Sequence, residues 1–225
     1  MALRALVLAG TAAVAGLITA DLVRHPVVLR DAAAPAYLVL LAAILAGYVA
    51  AALLATGRSA PLGALFGVLV AGLWVVELWA GNLASAGPLT TVAYRGSILG
   101  TLAATLAGGF LGGVRLGRLA DGASVGAWSG MFGGLVVCAL AVWAGAFSAT
   151  VQTADPQALA EFQRSHASDL TTYLVGDWLA AGIGHLVIGL VVGSVLGLMG
   201  GAVGAAVSPL RPGAVGAEQA GEQAQ

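Results

Sequence analysis

The sequence predicts an all-α, polytopic integral membrane protein. About six transmembrane helices form a tight glycine-rich bundle, and one amphipathic helix lies on its surface. Three observations carry this. Hydrophobic residues make up 60% of the chain and charged residues only 8%, where a soluble domain carries roughly a quarter. Apolar runs long enough to cross a bilayer, about 20 residues each, recur along the whole chain. In the last of these runs, "HLVIGLVVGSVLGLMGGAVG", glycine returns at every fourth position, although it costs roughly 1 kcal/mol against alanine in an aqueous helix.

The spans fall at about 4–20, 34–55, 61–81, 96–116, 123–148 and 172–206, within one domain over 1–207. The first, "LRALVLAGTAAVAGLITA", begins like a signal peptide, with Arg4 ahead of an apolar core. The "ITA" before Asp21 fits the small-residue cleavage pattern poorly, so the segment reads as a retained span. A cytoplasmic N-terminus puts Arg4, Arg58, Arg115, Arg118 and Arg211 inside, and Arg24, Arg30, Arg95 and Arg164 outside. This slight positive-inside bias gives a cell-membrane protein with both termini in the cytoplasm. Asp21, Asp31, Asp155, Glu161 and Asp169 then lie on the outer side.

The connection over 149–171 carries its own helix, at about 156–170. Asp155 stands as N-cap and Pro156 at the first helical position. Leu159, Phe162, His166, Leu170 and Tyr173 follow at helical spacing, with Glu161, Arg164 and Ser168 turned away. Such a helix lies in the outer interface. His166 and His25 read as solvated interfacial residues. The stretch 208–225 is polar and Gly/Ala-rich, the composition of a disordered tail.

The glycines explain themselves in lipid. Hydrocarbon tails are as apolar as leucine, so spanning helices associate through close backbone packing, which small residues permit. Gly189, Gly193, Gly197 and Gly201 form one stripe; Gly122, Gly126, Gly130 and Gly134 form a second; Gly109, Gly113 and Gly117 form a third. These predict a tight group of the last three spans with the first two more peripheral, the stripes being used within the chain rather than in an oligomer or pore. The expected partners are the lipid bilayer and a possible partner membrane subunit or second copy. The net charge of −1, with no lysine anywhere, leaves no basic field for nucleic acid. Cys138 reads as a small buried apolar residue.

Ionisable groups at membrane depth are costly and therefore mark candidate functional positions. Glu77 sits in "LWVVELWAGN", Asp177 in "YLVGDWLAAG", and His185 lies about 12 Å deeper along the same helix. Trp74, Trp79, Trp143 and Trp178 fall in the outer half, with Asn82 and Arg95 at the same end. The candidate ligand-binding set is therefore Glu77, Asp177, Trp79, Trp178, Arg95 and His185. Three roles compete for it. The residues can be interfacial anchors with a carboxylate paired to Arg95. They can line an outward pocket where indoles face a flat or cationic solute. They can form a proton or cation relay to His185. A fourth possibility for His185 alone is a hydrogen bond to a carbonyl of a neighbouring helix.

Ser129 in "AWSG" with His185 resembles a rhomboid serine–histidine dyad, but Ala127 stands where the first glycine of G-x-S-G belongs, and glycine follows His185 only at 189. One histidine within the spans does not make a bis-histidine haem site, and without lysine there is no retinal linkage. Zincin, P-loop and paired Cys-x-x-Cys motifs are absent. No cofactor and no metal are expected. The size and six-span layout resemble the substrate-binding membrane component of an energy-coupling-factor vitamin transporter. That resemblance implies a compact protein with an outward pocket that packs on a partner through small-residue stripes. The expected function is a small solute-binding or transport subunit with an outward vestibule. The alternatives are a non-catalytic scaffold subunit and, more remotely, an intramembrane serine hydrolase.

Overall fold

A computed structural model describes residues 2–30, 34–54, 57–84, 87–152, 156–165, 167 and 169–208. The order is α1 (Ala2–Arg24), a 3-10 turn (Pro26–Arg30), α2 (Ala34–Leu54), α3 (Ala60–Leu78) running into a π turn (Trp79–Leu83), α4 (Pro88–Leu116), α5 (Leu119–Gln152), α6 (Pro156–Ser165) and α7 (Leu170–Val207). Among the described residues there is no strand. Six helices are long and apolar enough to cross a membrane: α1, α2, α3 with its π turn, α4, α5 and α7. The chain is an all-α multi-pass membrane protein.

Local chemistry sets the breaks. Proline stands in the first turn of both α3 and α4, where its missing N–H is no loss. Gly117 ends α4 in the left-handed region at φ 74°, its N–H donating to the Gly113 carbonyl at 2.9 Å. Asp169 caps α7, accepting from the Thr172 backbone N–H at 2.8 Å and its hydroxyl at 2.6 Å. That cap separates α6, which ends at Ser165, from a new helix at Leu170, where periodicity alone runs one amphipathic helix on to residue 170. Asp31, Asp155, His166, Ser168 and the stretch 209–225 lie outside the described residues. With 38 residues, α7 is about 57 Å long and exceeds a hydrocarbon core of about 30 Å.

α5 is the central helix. α7, α3, α4 and α1 pack around it, and α2 leans on α1 and touches α7. Glycine contacts fix the register. Gly122, Gly126 and Gly130 of α5 lie against Gly201, Gly197 and Gly189 of antiparallel α7, and Gly134 lies against the backbone of His185 and Leu186. Gly109 and Gly113 of α4 meet Gly197 and Gly201 of parallel α7. A Cβ placed on Gly122 would stand 2.7 Å from the Gly109 oxygen and 2.9 Å from the Gly197 oxygen. Three backbones therefore touch at one point, and the stripes face one another inside the chain. On the other side, Gly63 and Gly67 of α3 receive Trp128 and Phe132 of parallel α5.

Side chains fill what the glycines leave. Val7, Val14, Leu41, Tyr48, Leu135, Cys138 and Leu186 form a core shared by α1, α2, α5 and α7. Phe66, Val70, Ala104 and Val125 join α3, α4 and α5. Large apolar residues such as Leu54, Leu65, Val92 and Leu99 point outward, as a lipid-facing surface requires.

α2 is tied to α7 by one buried polar contact: the Tyr48 hydroxyl donates to the Leu186 carbonyl at 2.7 Å. Tyr48→Phe keeps the ring and deletes the donor. It is expected to cost about 1 kcal/mol, read as a lowered unfolding midpoint of the protein in lipid nanodiscs. A midpoint equal to the unmodified chain would mean the bond adds nothing.

Candidate functional site

The half of the bundle nearer α6 is built on levels set by the helix registers. Gly145 of α5 lies against Trp178 of α7, and the pairing of Gly63 with Trp128 and Gly67 with Phe132 carries Trp79 to the same height. Trp79, Trp143 and Trp178 thus share a level but not a direction. Trp79 is 49% exposed and Trp143 48%, whereas Trp178 is 6% exposed and packs with Leu78, Val137, Ala141 and Ala144. Exposed indoles at one height are the pattern of an interfacial belt. Trp178 belongs to the core.

Asp177 turns away from the helix face of its neighbour Trp178 and is exposed. Its charged neighbour is Glu161 of α6. Tyr173 donates its hydroxyl to Glu161 Oε2 at 3.3 Å, and its ring lies 5.9 Å from that of Phe162. These contacts dock α6 on the N-terminal end of α7, and Asp177 belongs to that corner. Arg95 is exposed on α4; among the described residues no ion pair joins it to Glu77 or Asp177. Asn82 donates to the Leu78 carbonyl of its own helix at 3.3 Å.

What the structure does bring together is Glu77, Trp74 and His185. The Trp74 and His185 rings meet edge-to-face, 5.4 Å between centroids at 78°, and Trp74 also reaches Gly189 one turn deeper on α7. Glu77 lies one turn beyond Leu73 and Trp74, so it starts from the same face of α3, and His185 is its ionisable neighbour. Both are half-buried. His185 Nδ1 lies 2.7 Å from the carbonyl of Ala181, on its own helix rather than a neighbouring one. A carbonyl only accepts, so Nδ1 carries a hydrogen, and in the neutral ring Nε2 is then the acceptor. The imidazole lies within electrostatic reach of a carboxyl on another helix.

α4 supplies a hydroxyl stripe that residue-type reasoning passed over. Ser97, Thr101 and Thr105 are all buried. Leu73 against Gly100, Phe66 against Gly108 and Gly109 against Gly197 put Ser97 at the height of Glu77 and His185, with Thr101 at that of Trp74 and Gly189. Ser97 donates to the Tyr94 carbonyl at 2.8 Å and Thr105 to the Thr101 carbonyl at 2.8 Å. Thr101 is 7% exposed and its hydroxyl has no partner. The signal was in the sequence as hydroxyls at positions i, i+4 and i+8 of an otherwise apolar helix.

Two other polar groups stand apart. The buried Ser129 hydroxyl donates to the Gly126 carbonyl at 2.9 Å, while the His185 ring is engaged with Trp74, so the two form no dyad. Asp21, 5% exposed, holds its Oδ1 4.0 Å from His25 Nε2 one turn later. Among the described residues no group of three His, Cys, Asp or Glu side chains is arranged to hold a metal.

Fold and site together define an α-helical multi-pass membrane protein with a polar cluster formed between α3 and α7. Compared with family models, curated proteins and solved structures, the chain matches none.

Proposed function

We propose that this protein is a small membrane transport subunit whose solute site lies between α3, α4 and α7, centred on Glu77 and His185. The observation that carries this is a carboxyl and an imidazole on different spanning helices, within electrostatic reach of each other, with the imidazole edge-to-face with Trp74. Ionisable side chains at membrane depth serve most often in ion and substrate pathways, and a pair shared by two helices changes its energy when those helices move. In this reading both termini are cytoplasmic and the site faces outward in the cell membrane. Trp79 and Trp143 act as anchors, Asp177 positions α6, and Arg95 serves the headgroup level. The facing glycine stripes are occupied within the chain, which favours transport over a scaffold that offers them to a partner.

The test is flux through the full chain in liposomes holding a pH-sensitive dye, with a membrane potential imposed by potassium and valinomycin. Glu77→Gln removes the charge and keeps the shape. Flux is expected to fall about tenfold or more, since each 1.4 kcal/mol of lost interaction is a factor of ten, with the thermal midpoint unchanged. His185→Gln is expected to act in the same direction. Flux equal to that of the unmodified protein in both variants would remove the proposal.

A further inference from the structure

Thr101 raises a question that the Glu77–His185 pair leaves open. Buried hydroxyls nearly always find a hydrogen-bond partner, usually a carbonyl one turn back on the same helix. Thr105 and Ser97 on the same stripe behave in this way. Thr101 alone does not, although it sits between them and is more than nine-tenths buried. Its level in the bundle is that of Trp74, which edges on His185. A buried hydroxyl without a partner, level with an indole and one turn below a carboxyl and an imidazole, is a group that a ligand could complete.

The chemistry of the set specifies what. Glu77 accepts through its carboxylate and, with the ring neutral, His185 accepts through Nε2, since Nδ1 is committed to Ala181. Thr101 Oγ1 accepts through its lone pairs. These are three acceptors from three helices, with a net negative charge and an aromatic wall. Among the described residues no arginine is paired with Glu77, and Arg95 is exposed. A primary ammonium group carries three N–H donors on one positive nitrogen and matches the set in number, sign and hydrogen-bond role, with the Trp74 ring offering the cation a favourable face. A quaternary ammonium has the charge but no donors. A carboxylate or phosphate meets the wrong sign.

We propose that this site between α3, α4 and α7 binds solutes through a primary ammonium group, paired to Glu77, donating to His185 Nε2 and seated at its base on Thr101. This rests on the transport reading above for the location of the site and adds the class of ligand. Binding is non-covalent, and no proton need leave the ammonium group.

The experiment is calorimetric titration of the full chain in nanodiscs with n-butylammonium, tetramethylammonium, sodium and n-butanol in turn. Saturable binding is expected for butylammonium alone, lost in Glu77→Gln. Thr101→Val, which keeps the shape and deletes the hydroxyl, should weaken it about tenfold, and Thr101→Ser should restore it. Thermal midpoints confirm that each variant is folded. Tetramethylammonium or sodium binding as tightly as butylammonium would overturn the proposal, as would Thr101→Val binding like the unmodified chain. If butylammonium fails to bind while Glu77→Gln still abolishes flux, the ammonium assignment falls and the transport reading survives. If flux is also insensitive to Glu77, both fall.

Discussion

Gly130→Leu is expected to prevent α5 and α7 from assembling. Even a methyl group at this position would run into the Gly189 carbonyl, and the next contact is the backbone of Gly193. No rotamer relieves a collision with backbone, so the two helices must separate along their whole seam. Overpacking of an ordinary core costs about 1–3 kcal/mol. Here the loss should exceed that range, because the obstacle cannot repack and the seam is the most extensive helix contact in the chain. The measurement is the yield of monodisperse protein after mild detergent extraction, together with its thermal midpoint. Gly184→Ala and Gly47→Ala are the controls, since an added Cβ meets nothing within 4 Å at either site; both should behave as the unmodified protein. A Gly130→Leu variant that melts alongside these controls would mean that the helices do not approach as described.

Leu135→Ala is expected to show the second largest effect. Leu135 is fully buried on the central helix, and its side chain fills the space left by Gly10 of α1. Removing it leaves a cavity walled by α1, α5 and their neighbours, of the kind that costs about 2–5 kcal/mol in soluble cores. Lipid does not change the sign: tails cannot enter an internal void, and the lost term is close packing between side chains. Leu99→Ala is the matching control, because Leu99 is 66% exposed on the surface assigned to lipid. Unfolding of both variants from nanodiscs should show a large drop for Leu135→Ala and little change for Leu99→Ala. Equal drops would contradict the division between core and lipid face.

The sequence made the spans and the glycine stripes legible because both depend on local pattern: run length for the first, spacing for the second. It did not reveal which stripe meets which. Spacing marks the small-residue face of a helix but not the neighbour, and α4 turned out to have two such faces. Gly100 and Gly108 lie against α3, while Gly109 and Gly113 lie against α7. The site shows the same limit. Glu77 and His185 stood out by residue type alone, and the fold puts them within electrostatic reach. Asp177, Trp79 and Arg95 were grouped with them by depth, but direction around a helix changes by about 100° per residue. Adjacent Asp177 and Trp178 therefore serve different surroundings. Thr101 was invisible for the opposite reason. Threonine in a spanning helix normally satisfies itself on its own backbone, and only the folded structure shows that Thr101, like Thr11 of α1, does not.

The backbone contacts among α4, α5 and α7 also bear on how such a chain changes over generations. Every missense change in a glycine codon adds at least a β-carbon, and alanine is the smallest step on offer. At Gly126, Gly130, Gly189, Gly193 and Gly197 that carbon has no room against the facing backbone. These codons cannot drift gradually and let their neighbours adjust; a viable replacement needs both helices to shift together. Gly16, Gly47, Gly72, Gly96, Gly176 and Gly184 meet nothing and are free to wander. Descendants of one ancestral chain should keep the first group unchanged while the second is rewritten, so a heritable record of where the three helices touch accumulates in the gene itself.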